Sequence, residues 1–401
     1  MARTRFAAFL IAILLCGQAL AVAAEEGIMI PRLDYTQKPL PDLPSYRFVA
    51  GLKAGWNLGN TFDASNAFHL RDEMDYESTW VGVKTDEGVL RAVRAAGFST
   101  IRIPVSWHNH VSGPAFTISP PWLARVREVV DQALEAGLYV ILNTHHDIEK
   151  DYIYPDEAHL DSSRRYLAAV WTQVAAAFQD VDERLIMESM NEPRLAGTEI
   201  EWWLNPDNPR SAEAVRCINQ LNQVFVDTVR GAGGHNASRY LLVPGYAASV
   251  QGCLHEEFAM PRDRQGLTNR LLLSVHAYTP YEFALKSPRE AGSQDTFRAD
   301  NPFDVMKVAQ FMDQLYHRFV PLEVPVVIGE FGARDKGGNL QARVDFAAVY
   351  VALARSRGIS CVWWDNHGFK GDGELFGLLD RHSQQFVYPQ LVEALVRYAE
   401  E

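Results

Sequence analysis

The chain has 401 residues, a formal net charge of −12 and a hydrophobic content of 47%. This acidic balance argues against partners that are themselves anionic, so neither nucleic acid nor an anionic membrane surface is expected to bind. The cysteines show no CxxC or Cys/His spacing, and nothing in the sequence supports a metal site or a cofactor.

The first 24 residues have the pattern of a secretory signal peptide. Arg3 and Arg5 precede an apolar run from Phe6 to Leu15, and small residues continue to Ala24. The apolar run is shorter than the roughly 20 residues that a membrane-spanning helix needs, which favours cleavage near Ala24 over a membrane anchor. A soluble protein exported to the periplasm or the medium is therefore expected.

Three cysteines follow the predicted cleavage site. At most one disulfide can form among them, and Cys217 with Cys253 is the more plausible pair because Cys361 lies in a predicted buried strand. The sequence leaves open whether that bond forms.

The rest of the chain is expected to be one domain in a monomeric protein. Residues 25–45 contain four prolines among mostly polar residues, which predicts an extended arm, and residues 46–401 contain no linker or short repeat. Eight short apolar runs alternate with amphipathic segments, which is typical of parallel strands covered by helices. Eight such units favour the α/β class and a closed (β/α)8, or TIM, barrel over an open sheet. The runs are AGWNL, TIRIPV, YVILN, LIMES, YLLVP, LLLSV, VPVVIGE and ISCVWW.

Two glutamates stand at the ends of apolar runs, Glu192 in MNEPR and Glu330 in VVIGEFGA. The carboxyl ends of barrel strands meet on one face, where active sites are built. A charged side chain placed directly after a buried strand must face a polar cleft, because burying the charge without a partner is costly. Two facing carboxylates supply the proton donor and the nucleophile that cleavage of a glycosidic bond requires.

Other polar residues at strand ends suit supporting roles. We expect Arg102 and Tyr278 to keep Glu330 ionised, and the neighbouring carboxylate to raise the pKa of Glu192. Asn191 could bind a sugar 2-hydroxyl group. Three histidines could contact sugar hydroxyls or the carboxylates, namely His145, His146 and His276.

Aromatic side chains are a second sign of a sugar-binding cleft, because sugar rings pack their C–H faces on aromatic planes. Trp364 follows the last strand and could form the floor of the cleavage site, whereas alternation along the strand directs Trp363 into the core. Trp107, Trp202 and Trp203 lie after strands 2 and 4, where they could form outer sugar subsites or simply pack.

These motifs resemble glycoside hydrolase family 5, whose (β/α)8 enzymes carry glutamates after strands 4 and 7. The resemblance runs from about Gly51 to Asn366 and is closest to subfamily 4, on NEPR followed by EWW and on HAYTPYEF. Members of that subfamily cut cellulose derivatives, mixed-linkage β-glucan and often xyloglucan. The motifs are GWNLGNTFDA, IRIPVSWHNH, YVILNTHHD, MNEPR, VHAYTPYEF, VVIGEFGA and VWWDN.

The resemblance implies that Glu192 is the acid/base and Glu330 the nucleophile. It implies a −2 sugar subsite formed by Asn60, Asp63 and His146. It also implies that six residues support catalysis and binding, namely Arg102, His145, Asn191, His276, Tyr278 and Trp364. One departure is His367, where relatives commonly have a glycine directly after WWDN, and it concerns the shape of the cleft rim.

The expected function is that of a secreted retaining endo-β-1,4-glucanase that acts on cellulose derivatives, mixed-linkage glucan and xyloglucan without metal or cofactor. An endo-β-1,4-mannanase of the same family is the alternative, since it would use the same catalytic residues. An exo-acting glucosidase would need loops that block one end of the cleft. A non-catalytic sugar-binding barrel is remote, because it would lack one of the two glutamates.

Overall fold

The computed structural model describes residues 27–400, so the predicted signal peptide lies outside the described residues. Eight parallel strands form a closed barrel in which sequence neighbours pair and the last strand closes on the first. The predicted (β/α)8 barrel is therefore confirmed. The strands are β1 (Ala54–Asn57), β2 (Thr100–Ile103), β3 (Tyr139–Asn143), β4 (Leu185–Glu188), β5 (Leu241–Pro244), β6 (Leu271–His276), β7 (Val326–Phe331) and β8 (Ser360–Trp363).

Helices cover the barrel, and several begin at residues suited to that position. Asp86, Asn208 and Asn301 each accept a hydrogen bond from a backbone N–H of the first helical turn, which satisfies a donor that has no partner within the helix. The helices are α1 (Pro44–Leu52), α2 (Tyr76–Thr79), α3 (Glu87–Ala95), α4 (Pro120–Glu135), α5 (Leu160–Ala177), α6 (Pro209–Gly231), α7 (Val250–Leu254), α8 (Tyr281–Ala284), α9 (Pro302–Phe319), α10 (Leu340–Arg355) and α11 (Pro389–Glu400). None of these described helices is long and apolar enough to cross a membrane.

Helix α1 closes the amino-terminal end of the barrel. Its Val49 and Leu52 pack against apolar side chains from the strands, which form a separate buried cluster. Thr100 at the start of β2 donates a 2.7 Å hydrogen bond to the carbonyl of Leu52, which ties the helix to the sheet. The strand residues of this bottom layer are Ile141, Ile186, Leu242, Leu272, Val327 and Val362.

Residues 27–43 contain no helix or strand and run across α10 and α11. The backbone of Met29 makes two 2.8 Å hydrogen bonds with the Gln341 side chain, and Lys38 N donates to the carbonyl of Ser356 at 2.8 Å. Regular structure begins at Pro44, two residues before the expected domain boundary.

The three cysteines that follow the predicted signal peptide are buried free thiols, so the structure does not contain the Cys217–Cys253 disulfide. Cys217 lies on α6 and Cys253 on α7. Burial raises the pKa of the Cys217 thiol to about 11, so it stays protonated at neutral pH.

Candidate active site

Arg102, on β2, is the centre of a polar layer at the carboxyl end of the barrel. It is fully buried and donates to Glu188 at 2.7 Å and to Glu330 at 2.8 Å. It also donates to Asn57 at 3.0 Å and to Asn191 at 2.7 Å. Arg102 was expected to keep Glu330 ionised and, with Asn191, to support catalysis and binding. It has no exposed surface, so it acts on a sugar only through the side chains that it orients.

Glu188 is a member of this layer that the sequence analysis missed. It has no exposed surface, lies within β4, and accepts a 2.5 Å hydrogen bond from the hydroxyl of Ser274 on β6. The run LIMES carries the signal, because a glutamate within an apolar strand needs a cationic partner when it is buried. Arg102 supplies that partner from β2, which lies two strands away.

Glu192 and Glu330 face one another above this layer. One oxygen of each carboxylate and a ring nitrogen of His276 lie within 4.8 Å of one another. Glu330 accepts a 3.0 Å hydrogen bond from the hydroxyl of Tyr278, and Glu192 accepts one of 2.8 Å from His276 Nδ1. An irregularity between β6 and β7 pairs His276 with Glu330 across the sheet, which is how a strand re-aims a side chain beside a site.

The pKa values of Glu192, Glu330 and His276 are shifted by burial and by one another's charges. Burial acts to raise the pKa of Glu192, but the hydrogen bond and charge of His276, with the charge of Arg194, hold it below its usual range. Burial raises the pKa of Glu330, although His276 and Arg102 oppose this. The pKa of His276 is raised because Glu330 and Glu192 outweigh its burial. The expectation of a raised pKa for Glu192 is therefore wrong for the free site, because His276 competes for the proton.

A cleft of about 970 Å³ lies at this end of the barrel, between Trp364 and the loop that follows β8. Asn60, His146 and Trp364 line it, as the proposed sugar-binding roles require, and so do Trp80 and Tyr388, which the sequence analysis did not select. Trp364 follows β8 directly and packs parallel to His145, with ring centroids 5.8 Å apart. Burial lowers the pKa of His146 to about 4 and that of His145 well below its usual value, so both rings are neutral near pH 7.

Asp63 does not reach the cleft, which corrects the role that the resemblance implied. It has no exposed surface, and its two oxygens accept backbone hydrogen bonds from Asn60 at 3.0 Å and Thr61 at 2.7 Å. Asn60 itself has a left-handed backbone with φ of 60°. Asp63 therefore holds the turn that presents Asn60, and its Oδ2 lies 4.0 Å from His146 Nε2, so it acts on the sugar through the residues beside it.

The other tryptophans fall into two groups. Trp363 is fully buried, as predicted, and Trp107 is also a core residue, so it cannot form a sugar subsite. Trp202 and Trp203 are 48% and 67% exposed, and the guanidinium of Arg194 stacks on Trp202 at 3.8 Å. Arg194 Nη1 also lies 3.7 Å from Glu192, which places the Trp202 ring beside the acid/base candidate, whereas Trp203 packs edge-on against Tyr281.

His367 forms part of the cleft wall. Its φ is 57°, a conformation that glycine favours and that histidine tolerates better than most residues. Its Nδ1 lies 3.2 Å from the carbonyl of Leu379, which turns the ring toward the hairpin formed by Leu379–Asp380 and Gln385–Phe386. The departure at this position is thus accommodated without disturbing the catalytic pair.

Two groups of described residues have the donor atoms that a metal ion needs. One is Asp63 with His145 and His146, and the other is Glu192 with His276 and Glu330. In the first, both oxygens of Asp63 are taken up by backbone N–H groups. In the second, hydrogen bonds to protein donors account for the arrangement.

Two carboxylates that face one another across an aromatic-lined cleft, at the carboxyl end of a (β/α)8 barrel, define a glycoside hydrolase. Residues 62–370 match the family model described as "Cellulase (glycosyl hydrolase family 5)". The chain belongs to glycoside hydrolase family 5.

Relatives specify the kind of activity. The chain is 37% identical to endoglucanase B of Ruminococcus albus, with 91% of this chain and 83% of that protein covered. It is 52% identical to a family 5 lichenase from Caldicellulosiruptor sp. F32, with a TM-score of 0.91 and coverages of 92% and 99%. A subfamily 4 broad-specificity endoglucanase from Ruminococcus champanellensis is 38% identical, with a TM-score of 0.79 and coverages of 90% and 100%. The chain is thus an endo-β-1,4-glucanase of family 5 and is similar to subfamily 4.

Proposed function

We propose that this protein is a secreted, retaining endo-β-1,4-glucanase that cuts soluble β-glucans, with Glu330 as nucleophile and Glu192 as acid/base. The observation that supports the retaining mechanism is that one oxygen of Glu192 and one oxygen of Glu330 lie within 4.8 Å of each other, which limits the distance between nearest atoms and favours a short separation of the two carboxyl groups. Retaining enzymes hold the two carboxyl groups about 5–5.5 Å apart, whereas inverting enzymes need about 6.5–9.5 Å to admit a water molecule.

In the first step, a carboxylate oxygen of Glu330 attacks the anomeric carbon while Glu192 protonates the departing glycosidic oxygen. Arg102 and Tyr278 each donate a hydrogen bond to Glu330, at 2.8 and 3.0 Å, and so orient it for attack. The proton that Glu192 delivers is shared with His276 across their 2.8 Å hydrogen bond. The raised pKa of His276 keeps that proton in the site. As the leaving group departs, the proton moves along the hydrogen bond from His276 to Glu192, which passes it to the glycosidic oxygen.

In the second step, Glu192 takes a proton from water, and the resulting hydroxide equivalent displaces Glu330 from the anomeric carbon. Glu192 is suited to this role because it is ionised once its proton has left with the first product. Two inversions at the same carbon leave the β anomer as the first product.

The cleft supports action within a chain. Trp364, Asn60 and His146 line one continuous cleft. Trp202, stacked on Arg194, offers a second aromatic surface beside Glu192. Sugar-binding surfaces that extend away from the scissile bond favour endo cleavage over release of terminal glucose.

The names of similar proteins support the choice of substrate. The Caldicellulosiruptor lichenase was solved with cellotetraose, and the Ruminococcus champanellensis enzyme with cellotriose. Another similar structure, 34% identical with a TM-score of 0.79, is a xyloglucan-specific endo-β-1,4-glucanase from a metagenomic library. We therefore expect mixed-linkage glucan or xyloglucan to be cut at least as well as cellulose derivatives.

Two measurements test this function. Proton NMR during hydrolysis of a cello-oligosaccharide should show the β anomer first, and the α anomer as first product would overturn the retaining mechanism. A panel of carboxymethyl cellulose, barley β-glucan, xyloglucan and mannan tests the substrate class, and mannan turned over faster than every glucan would favour the mannanase alternative. Secretion is tested by the N-terminal sequence of the exported protein, which should begin near Glu25.

A further inference from the structure

Glu374 is an acidic residue in the cleft that the proposed reaction does not use. It lies in the loop that follows β8 and lines the same cavity as Trp364 and Asn60. Its side chain is accessible from the cleft. Within residues 27–400 its carboxylate makes no hydrogen bond or ion pair, although the backbone on either side of it is held firmly.

Three consecutive carbonyl groups, those of residues 373–375, accept hydrogen bonds from separate parts of the chain. Arg334 donates to the first through its guanidinium. Asn366 donates to the second, that of Glu374 itself, at 2.7 Å, and the backbone N–H of Asp335 donates to the third at 2.8 Å. An exposed loop that is fixed at three successive peptide groups presents its side chain in one direction.

Gly368 shows how closely this loop is packed. A Cβ at that position would lie 2.6 Å from the carbonyl oxygen of Glu374 and 2.9 Å from Asn366 Oδ1. Only a residue without a side chain permits this approach without a shift of the backbone. The chain therefore holds the backbone of Glu374 in place before any substrate arrives, which lowers the part of the entropic cost of binding that comes from ordering the loop.

The charges around Glu374 connect it to the catalytic pair. Partial loss of solvent in the cleft raises the pKa of Glu374, the charge of Arg334 opposes the rise, and the carboxylates of Glu192 and Glu330 add to it. Because charge interactions are reciprocal, Glu374 also disfavours the ionised forms of those two glutamates. His146, His367, Lys370, Asp380 and Tyr388 are the other titratable groups that line this cavity.

We propose that Glu374 is a substrate-binding residue whose carboxylate accepts hydrogen bonds from sugar hydroxyl groups of the glucan in the cleft. An ionised carboxylate has lone pairs for two adjacent hydroxyls and forms stronger hydrogen bonds than a neutral acceptor. The inference rests on the proposed function, since it names a further contact to the same substrate.

The test compares Glu374→Ala and Glu374→Gln with wild type on barley β-glucan and on cello-oligosaccharides. We expect Glu374→Ala to raise KM about tenfold, the loss typical of a hydrogen bond to a charged group, while kcat stays within about twofold. Glu374→Gln should raise KM less, because the amide oxygen can still accept one hydrogen bond. Asp372→Asn is the matched control, since it removes the same charge from the same loop at an exposed ion pair with Arg289.

A pH profile separates a role in the cleft from a merely structural one. Loss of the negative charge in Glu374→Gln should move the acidic limb of kcat/KM to lower pH, because Glu330 then ionises more readily. Asp372→Asn should leave both KM and the limb unchanged.

An unchanged KM for Glu374→Ala, with wild-type melting behaviour, would overturn the proposal. If that variant fails to fold, an unmoved limb and an unchanged KM in Glu374→Gln would overturn it instead. Wild-type cleavage of the same glucans is measured in parallel, so failure of the proposed function would be seen separately.

Discussion

The two ends of the barrel differ in what fills their interior. Below, branched apolar side chains such as Ile186 and Val327 pack against α1. Above, Arg102 on β2 and Glu188, two residues after Ile186 on β4, form a fully buried ion pair. Apolar packing adds stability wherever it occurs, whereas a buried ion pair often contributes little net stability. The upper layer therefore serves to orient the side chains of the site, and the lower layer serves to stabilise the fold.

The catalytic end should show the largest effect of any substitution. Glu330→Ala removes the proposed nucleophile and should lower turnover of every substrate on the order of 10⁶-fold, the scale seen when a catalytic nucleophile is lost. Glu192→Ala should abolish cleavage of polysaccharide but spare the first step for an activated aryl cellobioside, whose leaving group needs no proton. A burst of phenol from Glu192→Ala and none from Glu330→Ala is the expected result. The reverse pattern would exchange the two roles.

A matched pair of substitutions tests the contrast between the two layers. Arg102→Met leaves Glu188 and Glu330 without their cation and should cost about 3–5 kcal/mol of unfolding free energy. Ile186→Ala, in the bottom layer, should cost a similar amount, about 2–5 kcal/mol, by leaving a cavity. Only Arg102→Met should also lower kcat and move the acidic limb of the kcat/KM profile to higher pH. If both variants lost kcat per folded molecule equally, the two layers would not differ in their contribution to catalysis.

The sequence predicted the barrel because each strand is a short apolar run, and such runs survive as buried strands in the structure. Glu330 was found because it follows a run with no other polar residue. The position of Asp63 could not be predicted, since its burial depends on backbone N–H groups that only the folded turn brings to its oxygens. The bond between His276 and Glu192 joins residues 84 positions apart, and no local pattern reveals it.

Two adjacent tryptophans allow the contribution to stability to be compared with the contribution to catalysis. Trp363 is fully buried and donates to the carbonyl of Phe376 at 3.1 Å, so Trp363→Ala should cost about 3–5 kcal/mol of stability. Trp364 lines the cleft although only 8% of it is exposed, so Trp364→Ala should lower kcat/KM per folded molecule sharply, whereas Trp363→Ala should not. Thermal melts and kinetics on barley β-glucan measure both. An exchange of the two effects would show that strand alternation was misread here.

The smallest expected effect is the change in pH dependence caused by His276→Asn, which tests whether His276 and Glu192 share a proton. In wild type, the acidic limb of kcat/KM should lie above the usual carboxyl range, because burial raises the pKa of Glu330. The alkaline limb should follow loss of the proton held by His276 and Glu192, and His276→Asn should move it to lower pH. The raised pKa of His276 also predicts a sign for stability. Its contribution is complete below the unfolded pKa of about 6.5 and is lost as pH rises through the folded value. The melting temperature of wild type relative to His276→Asn should therefore fall over that range, and a difference that grew with pH would show that His276 is neutral in the folded site.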